Sequence, residues 1–268
     1  MPRTNIVLFG ECGAGKSSIV NMLSSNEHAA DISSSARGCT FESRSFEVNV
    51  LGQPVTLWDT AGLNEGDAGR VVKADAIAQL YSLLRKLSDG VSLLVFVMRA
   101  PRVRDSVPKN WKIFHEVICQ KKIPIVIVIT GLENEDNMDQ WWWDNKSTFQ
   151  RYGIYPAGYA CVTAFRGKKR RRGDGYRFDD EYEDSREKVQ RLIRSTCLAD
   201  PWRVPAAEWF KNIVEVTFTN QDIGCGKTRK VRQEGIKEVA GEALNKMVSA
   251  CGMSEKEAHE LAEKMRGM

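Results

Sequence analysis

Gly10-Glu11-Cys12-Gly13-Ala14-Gly15-Lys16-Ser17 spaces its glycines, lysine and hydroxyl in the pattern Gly-x4-Gly-Lys-Ser/Thr. Glycines in such a run let successive backbone N–H groups turn inward around phosphate oxygens. The lysine then supplies a point charge to the outer phosphates, and the serine offers its hydroxyl to magnesium. Gly10, Glu11, Cys12, Gly13, Ala14, Gly15, Lys16, Ser17 and Ser18 are therefore expected to line a nucleotide's phosphates, with Lys16 also serving catalysis and Ser17 serving the metal.

Asp59-Thr60-Ala61-Gly62 ends a strand-like run, Val55 to Trp58. A carboxylate placed there can hold magnesium through water, and the Gly62 amide can reach the terminal phosphate, so Asp59 is expected at the metal and Gly62 at both cofactor and catalysis. Thr40, in the polar stretch Arg37-Gly38-Cys39-Thr40, is positioned to complete the magnesium shell when a γ-phosphate is present; a solvated turn threonine is the alternative. In Thr130-Gly131-Leu132-Glu133 the glutamate can accept two hydrogen bonds from a guanine edge, which adenine cannot supply, or else cap a helix. Thr163 and Ala164, after another short strand, can offer amides to the guanine carbonyl oxygen.

The elements that must carry these residues are legible from periodicity. Asn5 to Phe9 is an apolar run, and Ile19, Val20 and Leu23 beyond the glycine loop have helical spacing. Phe46–Val50 and Val55–Trp58 flank the turn signal Gly52-Gln53-Pro54 and predict a hairpin. Helices are predicted over 70–89, 108–120, 138–152 and 182–198, alternating with strands over 91–98, 123–130 and 159–163. That alternation argues for a parallel sheet covered on both faces. Beyond Pro201 the pattern changes: Trp209 to Phe218 is ambiguous, while Ile236, Ala240, Ala243, Leu244, Met247 and Val248 read as one amphipathic helix. Ser254 with Glu257 resembles a capping box opening a last helix.

Composition narrows the classes. With 268 residues, 42% hydrophobic and 28% charged, the chain is ordinary for a globular protein, and a net charge of +4 does not call for nucleic acid. The seven cysteines form no CxxC pair and predict reduced thiols; with no secretory signal at the start, a cytoplasmic location is expected. Gly224-Cys225-Gly226-Lys227-Thr228 imitates the end of a second phosphate loop, but Gln221 stands where its opening glycine is required. The run Lys168 to Arg172 reads as an exposed loop and leaves membrane contact open without implying it. The triplet Trp141-Trp142-Trp143 cannot point one way on a helix, so at least one ring is expected outside the core.

With its motifs in this order, the chain resembles the septin-like and immunity-associated (avirulence-induced-gene type) branch of P-loop GTPases over roughly residues 3–200, and within it sets of fungal G-domain proteins. The likeness is carried by NIVLFGECGAGKSSIVNML, ARGCT, CQKKIPIVIVITGLE and the tryptophan-rich helix. The resemblance implies a three-layer α/β P-loop NTPase fold, a Ras-like G domain with a mostly parallel sheet over 1–200, followed by a helical extension over 201–268. It also implies a GTP/GDP switch using Mg2+, an effector protein, and assembly into a homodimer or oligomer through the nucleotide face. Two departures stand out. The Asn/Thr-Lys-x-Asp guanine motif lacks its lysine here, Gly131 standing in that place, and Leu63 follows Gly62 where Ras-like GTPases carry a water-orienting glutamine. Since leucine makes no hydrogen bond, slow unaided hydrolysis is expected, with a partner or second protomer supplying about 10³ to 10⁵ in rate if it brings an arginine finger. A nucleotide-locked module without turnover and an ATP-using P-loop enzyme are the alternatives.

Overall fold

The computed structural model describes residues 4–24, 43–60, 62–63, 71–101, 106–171, 173–222 and 228–268. Thr40, Arg37 and Ala61 lie outside them.

The chain runs β1 (Asn5–Gly10), α1 (Lys16–Leu23), β2 (Arg44–Val50), β3 (Gln53–Asp59), α2 (Val71–Lys86), β4 (Leu93–Arg99), then α3 (Ser106–Lys112), which widens into a π-helical segment, Ile113–Ile118. It continues through β5 (Ile125–Thr130), α4 (Met138–Arg151), β6 (Gly158–Cys161) and α5 (Asp179–Thr196). The first six strands form one sheet in the order β2-β3-β1-β4-β5-β6. All neighbours are parallel except the edge strand β2, which pairs antiparallel with β3 across the tight turn Leu51-Gly52.

Central strands buried on both faces read as unbroken apolar runs, and β1, β4 and β5 are such runs. Alternate residues feed two cores. Ile6, Leu8, Val95 and Val128 pack with Ile19 and Leu23 of α1 and Val189 and Ile193 of α5. Val7, Phe9, Phe96 and Ile127 pack on the opposite face with Leu80 and Leu84 of α2, Trp111 and Phe114. This is the parallel sheet covered on both faces that the alternation of strands and helices predicts, in the three-layer arrangement that the resemblance implies.

Beyond residue 201 the structure corrects the reading of a helical extension. Residues 210–240 form a two-stranded antiparallel ribbon, β7 (Phe210–Asp222) and β8 (Thr228–Ala240), paired from Phe210↔Ala240 to Asp222↔Thr228. Ile236 sits on β8 and is 79% exposed, so it is no part of a buried helical stripe. Helix begins only at α6 (Glu242–Ser249) and resumes at α7 (Glu255–Met265), whose Ser254/Glu257 capping box is present on both sides. Leu244, Met247, Leu261 and Met265 join the core beneath α2 and the π-helical segment. Trp209 packs edge-on against Tyr81 at 5.4 Å, and the Tyr81 hydroxyl accepts the Ala207 amide at 3.0 Å.

Among the tryptophans, Trp142 is buried and stacks on Tyr159 at 4.5 Å, while Trp143 is 56% exposed beneath the Lys146 ammonium. Residues 168–171 of the basic run are exposed, and Arg170 donates to the carbonyls of Gly175 and Tyr176. Among the described residues, no helix is long and apolar enough to cross a membrane.

Candidate functional site

In open α/β sheets the crevice lies at the C-terminal ends of the strands, and every described site residue lies there or in the loops that follow. Gly10 ends β1 with φ +147, and a Cβ on it would sit 2.0 Å from the Val97 carbonyl oxygen. No other residue fits beside β4. Gly15 holds φ +98 as the residue before α1, so the chain from Gly10 to Ser17 turns its main chain around the helix start. Lys16 is 7% exposed, and its ammonium donates across this loop to the carbonyls of Glu11 (3.0 Å) and Gly10 (3.4 Å). Cys12 and Gly13 are exposed at the loop's rim, whereas Ala14 is buried beneath it.

Ser17 is the second residue of α1, and its hydroxyl donates to Asp59 Oδ2 at 2.5 Å. Asp59, at the end of β3, keeps its other oxygen, Oδ1, buried without a hydrogen-bond partner among the described residues. Burial raises the carboxyl above its ordinary value, while the Ser17 hydroxyl, Lys16 and then Arg44 act in the opposite sense. A hydroxyl and a carboxylate oxygen side by side at a helix N-terminus are the hard oxygen donors that magnesium takes, directly or through water. The main-chain turn above them suits phosphate oxygens. These residues therefore fit a magnesium–polyphosphate group.

The turn after β3 is clamped to the same loop. The Thr60 hydroxyl donates to the Leu8 carbonyl at 2.7 Å, and the Leu63 amide donates to the Gly10 carbonyl at 3.0 Å. Gly62 passes so close to Cys12 that a Cβ would stand 2.5 Å from the Cys12 amide nitrogen. Leu63 itself is 1% exposed and packs into the apolar core.

The base side departs from expectation at two residues. Thr130, expected as a cofactor contact, points its hydroxyl at the phosphate loop, 2.7 Å from the Ala14 carbonyl oxygen. It braces one motif against the other. Thr163 was expected to offer its amide to a guanine carbonyl, but that amide already donates to the Ser185 hydroxyl at 3.0 Å. Its own hydroxyl donates to the Phe165 carbonyl. Ala164, the next residue, is partly buried. Glu133 faces Arg99, with 3.9 Å between Oε1 and Nη2.

Residues that the sequence reading passed over thus contribute: Arg99, Ser185 and Phe165. The signal for Arg99 was its place at a strand's C-terminal end, level with Thr130 on the neighbouring strand. Ser185, inside α5, carries no local signal.

Residues 5–131 match the family described as 50S ribosome-binding GTPase. The chain is 38% identical over 98 residues to the tRNA modification GTPase MnmE of Acinetobacter baylyi, a match covering 33% of this chain and 20% of that protein. It is 26% identical over 160 residues to GTPase Der of Campylobacter lari, covering 59% of this chain and 31% of the other. The matches thus span between a fifth and a third of these relatives' length. Among solved structures, a dimerization-deficient mutant of Toc33 from Arabidopsis thaliana superposes with a TM-score of 0.51 at 17% identity, covering 74% of this chain and 87% of that one. That likeness concerns the fold alone.

Proposed function

Taking as premise that residues 5–131 form a P-loop GTPase domain, we propose that the chain is a magnesium-dependent GTP/GDP switch or assembling scaffold that hydrolyses GTP slowly by itself. The observation that carries this reading is the Ser17–Asp59 pair at 2.5 Å, with Asp59 Oδ1 buried and without a partner among the described residues. In this reading Lys16 moves its ammonium from the loop carbonyls to the outer phosphates. Ser17 and Asp59 hold magnesium, joined by Thr40 in the GTP state, and the Gly62 amide meets the terminal phosphate. Bound magnesium neutralises charge that develops on the transferred phosphoryl group.

Slow turnover follows from Leu63. Its side chain is buried in the core, so only its amide faces the loop, and that amide donates to the Gly10 carbonyl. A group that orients water must then come from a partner or a second copy. Toc33, a protein of the same fold, has a variant described as dimerization-deficient. The septin-like and immunity-associated likeness, with its assembly through the nucleotide face, points the same way.

The deciding experiment is a titration of GTP hydrolysis against protein concentration, with Mg2+ present. The rate per molecule rises with concentration if self-association completes the site, and Lys16→Ala abolishes it. A per-molecule rate that stays flat at zero would replace the switch with a nucleotide-locked module.

A further inference from the structure

Resting on that GTPase reading, we infer that Arg99 and Phe165 form the two walls of the purine slot, Arg99 filling the place left by the missing lysine of the guanine motif. Gly131 occupies the motif's lysine position with φ +82. A Cβ built there would lie 3.0 Å from Arg99 Cγ and 3.2 Å from Arg99 Nε. The space in which a side chain at 131 would begin is therefore taken by the arginine stem arriving from the next strand.

Arg99 is delivered by register. It is the last residue of β4 and pairs with Thr130, the last residue of β5. Its side chain is 62% exposed, whereas Glu133, 3.9 Å from its Nη2, is only 16% exposed. A planar guanidinium with an open face thus lies beside the carboxylate that would read a purine edge. Guanidinium is weakly hydrated and stacks on aromatic faces better than an ammonium does. An exposed ion pair at this separation contributes almost nothing to stability, so the pair by itself gives the fold no use for this placement.

The opposite wall comes from the turn after β6. The Val162 amide donates to the Ile129 carbonyl at 2.8 Å, which keeps this turn level with the end of β5. Thr163 is held on both sides, its amide on Ser185 and its hydroxyl on the Phe165 carbonyl. Arg166 is anchored to Asp179 at 2.7 Å and lies over the Tyr182 ring. Between these fixed neighbours Phe165 is 58% exposed, an aromatic ring on a rigid backbone. Since β4 and β6 flank β5, Arg99 and the turn that carries Phe165 stand on opposite sides of the β5 end. The walls supply affinity without reading the base, and Glu133 supplies the selectivity.

The test measures, with Mg2+, the binding of GDP and inosine diphosphate by displacement of a fluorescent methylanthraniloyl-GDP, and the binding of inorganic pyrophosphate by calorimetry. Arg99→Ala weakens GDP roughly threefold to thirtyfold, and Phe165→Ala roughly fivefold to a hundredfold. Both weaken inosine diphosphate by the same factor, and both leave pyrophosphate unchanged. Arg99→Lys recovers part of the loss, and Glu133→Gln weakens GDP far more than inosine diphosphate. Unchanged GDP affinity in both alanine variants, or a pyrophosphate loss parallel to the GDP loss, overturns the slot and leaves the GTPase reading standing. A wild-type chain that binds no GDP, or a Lys16→Ala variant that binds it equally well, overturns the GTPase reading and the slot with it.

Discussion

Thr130 offers a measurement of how tightly the base side and the phosphate side of the site are joined. Its side chain is 3% exposed, its hydroxyl donates to the Ala14 carbonyl at 2.7 Å, and its methyl packs toward Gly15. Thr130→Ala removes both methyl and hydroxyl, whereas Thr130→Ser removes the methyl alone, so the difference between the two variants isolates the hydroxyl. Taking away one partner of a buried hydrogen bond costs about 1–3 kcal/mol. At about 1.5 kcal/mol and roughly 3 °C per kcal/mol for a chain near this size, the alanine variant should melt roughly 4–5 °C below the serine variant without nucleotide. Ala14 lies in the turn proposed to present amides to phosphate, so a loosened loop must also be reordered on binding. A loss of about 1.4 kcal/mol there lowers GDP affinity about tenfold. Thermal unfolding and calorimetric GDP titration of both variants check this. Identical melting temperatures and identical affinities in the alanine and serine variants would refute the brace.

Other outcomes follow from the same geometry. Gly62→Ala should destabilise the chain by roughly 1–3 kcal/mol, the usual cost of overpacking, because its Cβ meets the Cys12 backbone; chemical denaturation measures this. Iodoacetamide should modify the exposed Cys12 while Cys119 and Cys161 stay protected until unfolding, and GDP with Mg2+ should slow the Cys12 reaction, all read by peptide mass mapping. At alkaline pH, burial first and Asp139 second push the Cys161 thiol up to about 12, and burial pushes Cys197 up to about 11, from an ordinary 9.0. Above pH 9 the unfolded chain therefore releases protons that the folded chain keeps, so stability falls as pH rises, by at most about 1.4 kcal/mol per pH unit for each thiol. Unfolding between pH 8.5 and 10.5 should show that slope, and Cys161→Ala should reduce it by that thiol's share while the other buried thiols keep the rest.

Which parts of the molecule could be read in advance follows from how far apart their interacting residues lie. The Gly10–Ser17 loop was legible because its requirements are local, a bend of bare main chain with a lysine and a hydroxyl on the helix that follows. Asp59 was legible because it ends an apolar run, and the structure sets it against Ser17 as that order implied. Thr130 is expected at the cofactor, whereas its hydroxyl donates to Ala14, 116 positions away, a pairing that no local pattern records. The ribbon over 210–240 was read partly as helix because Ile236, Ala240, Ala243 and Met247 fall at helical intervals by coincidence. The β-branched residues Val214, Val216, Thr217, Thr219 and Val231 were the better signal, and only from Ala243 onward does the helical stripe bury.

Arg99 shows how such a site can depart from its motif and keep its chemistry. The residue that shields a base need not come from the strand that carries the base-reading acid, because parallel strands bring their C-terminal ends level within about 5 Å of one another. Once β4 and β5 are paired, position 99 and position 131 address the same volume, and a glycine at one allows an arginine at the other. The absence of the lysine at Gly131 therefore gives no ground to expect a site indifferent to its base. In the proposed slot the long side chain comes from one strand over, and it stands 3.9 Å from the Glu133 carboxylate proposed to read the guanine edge.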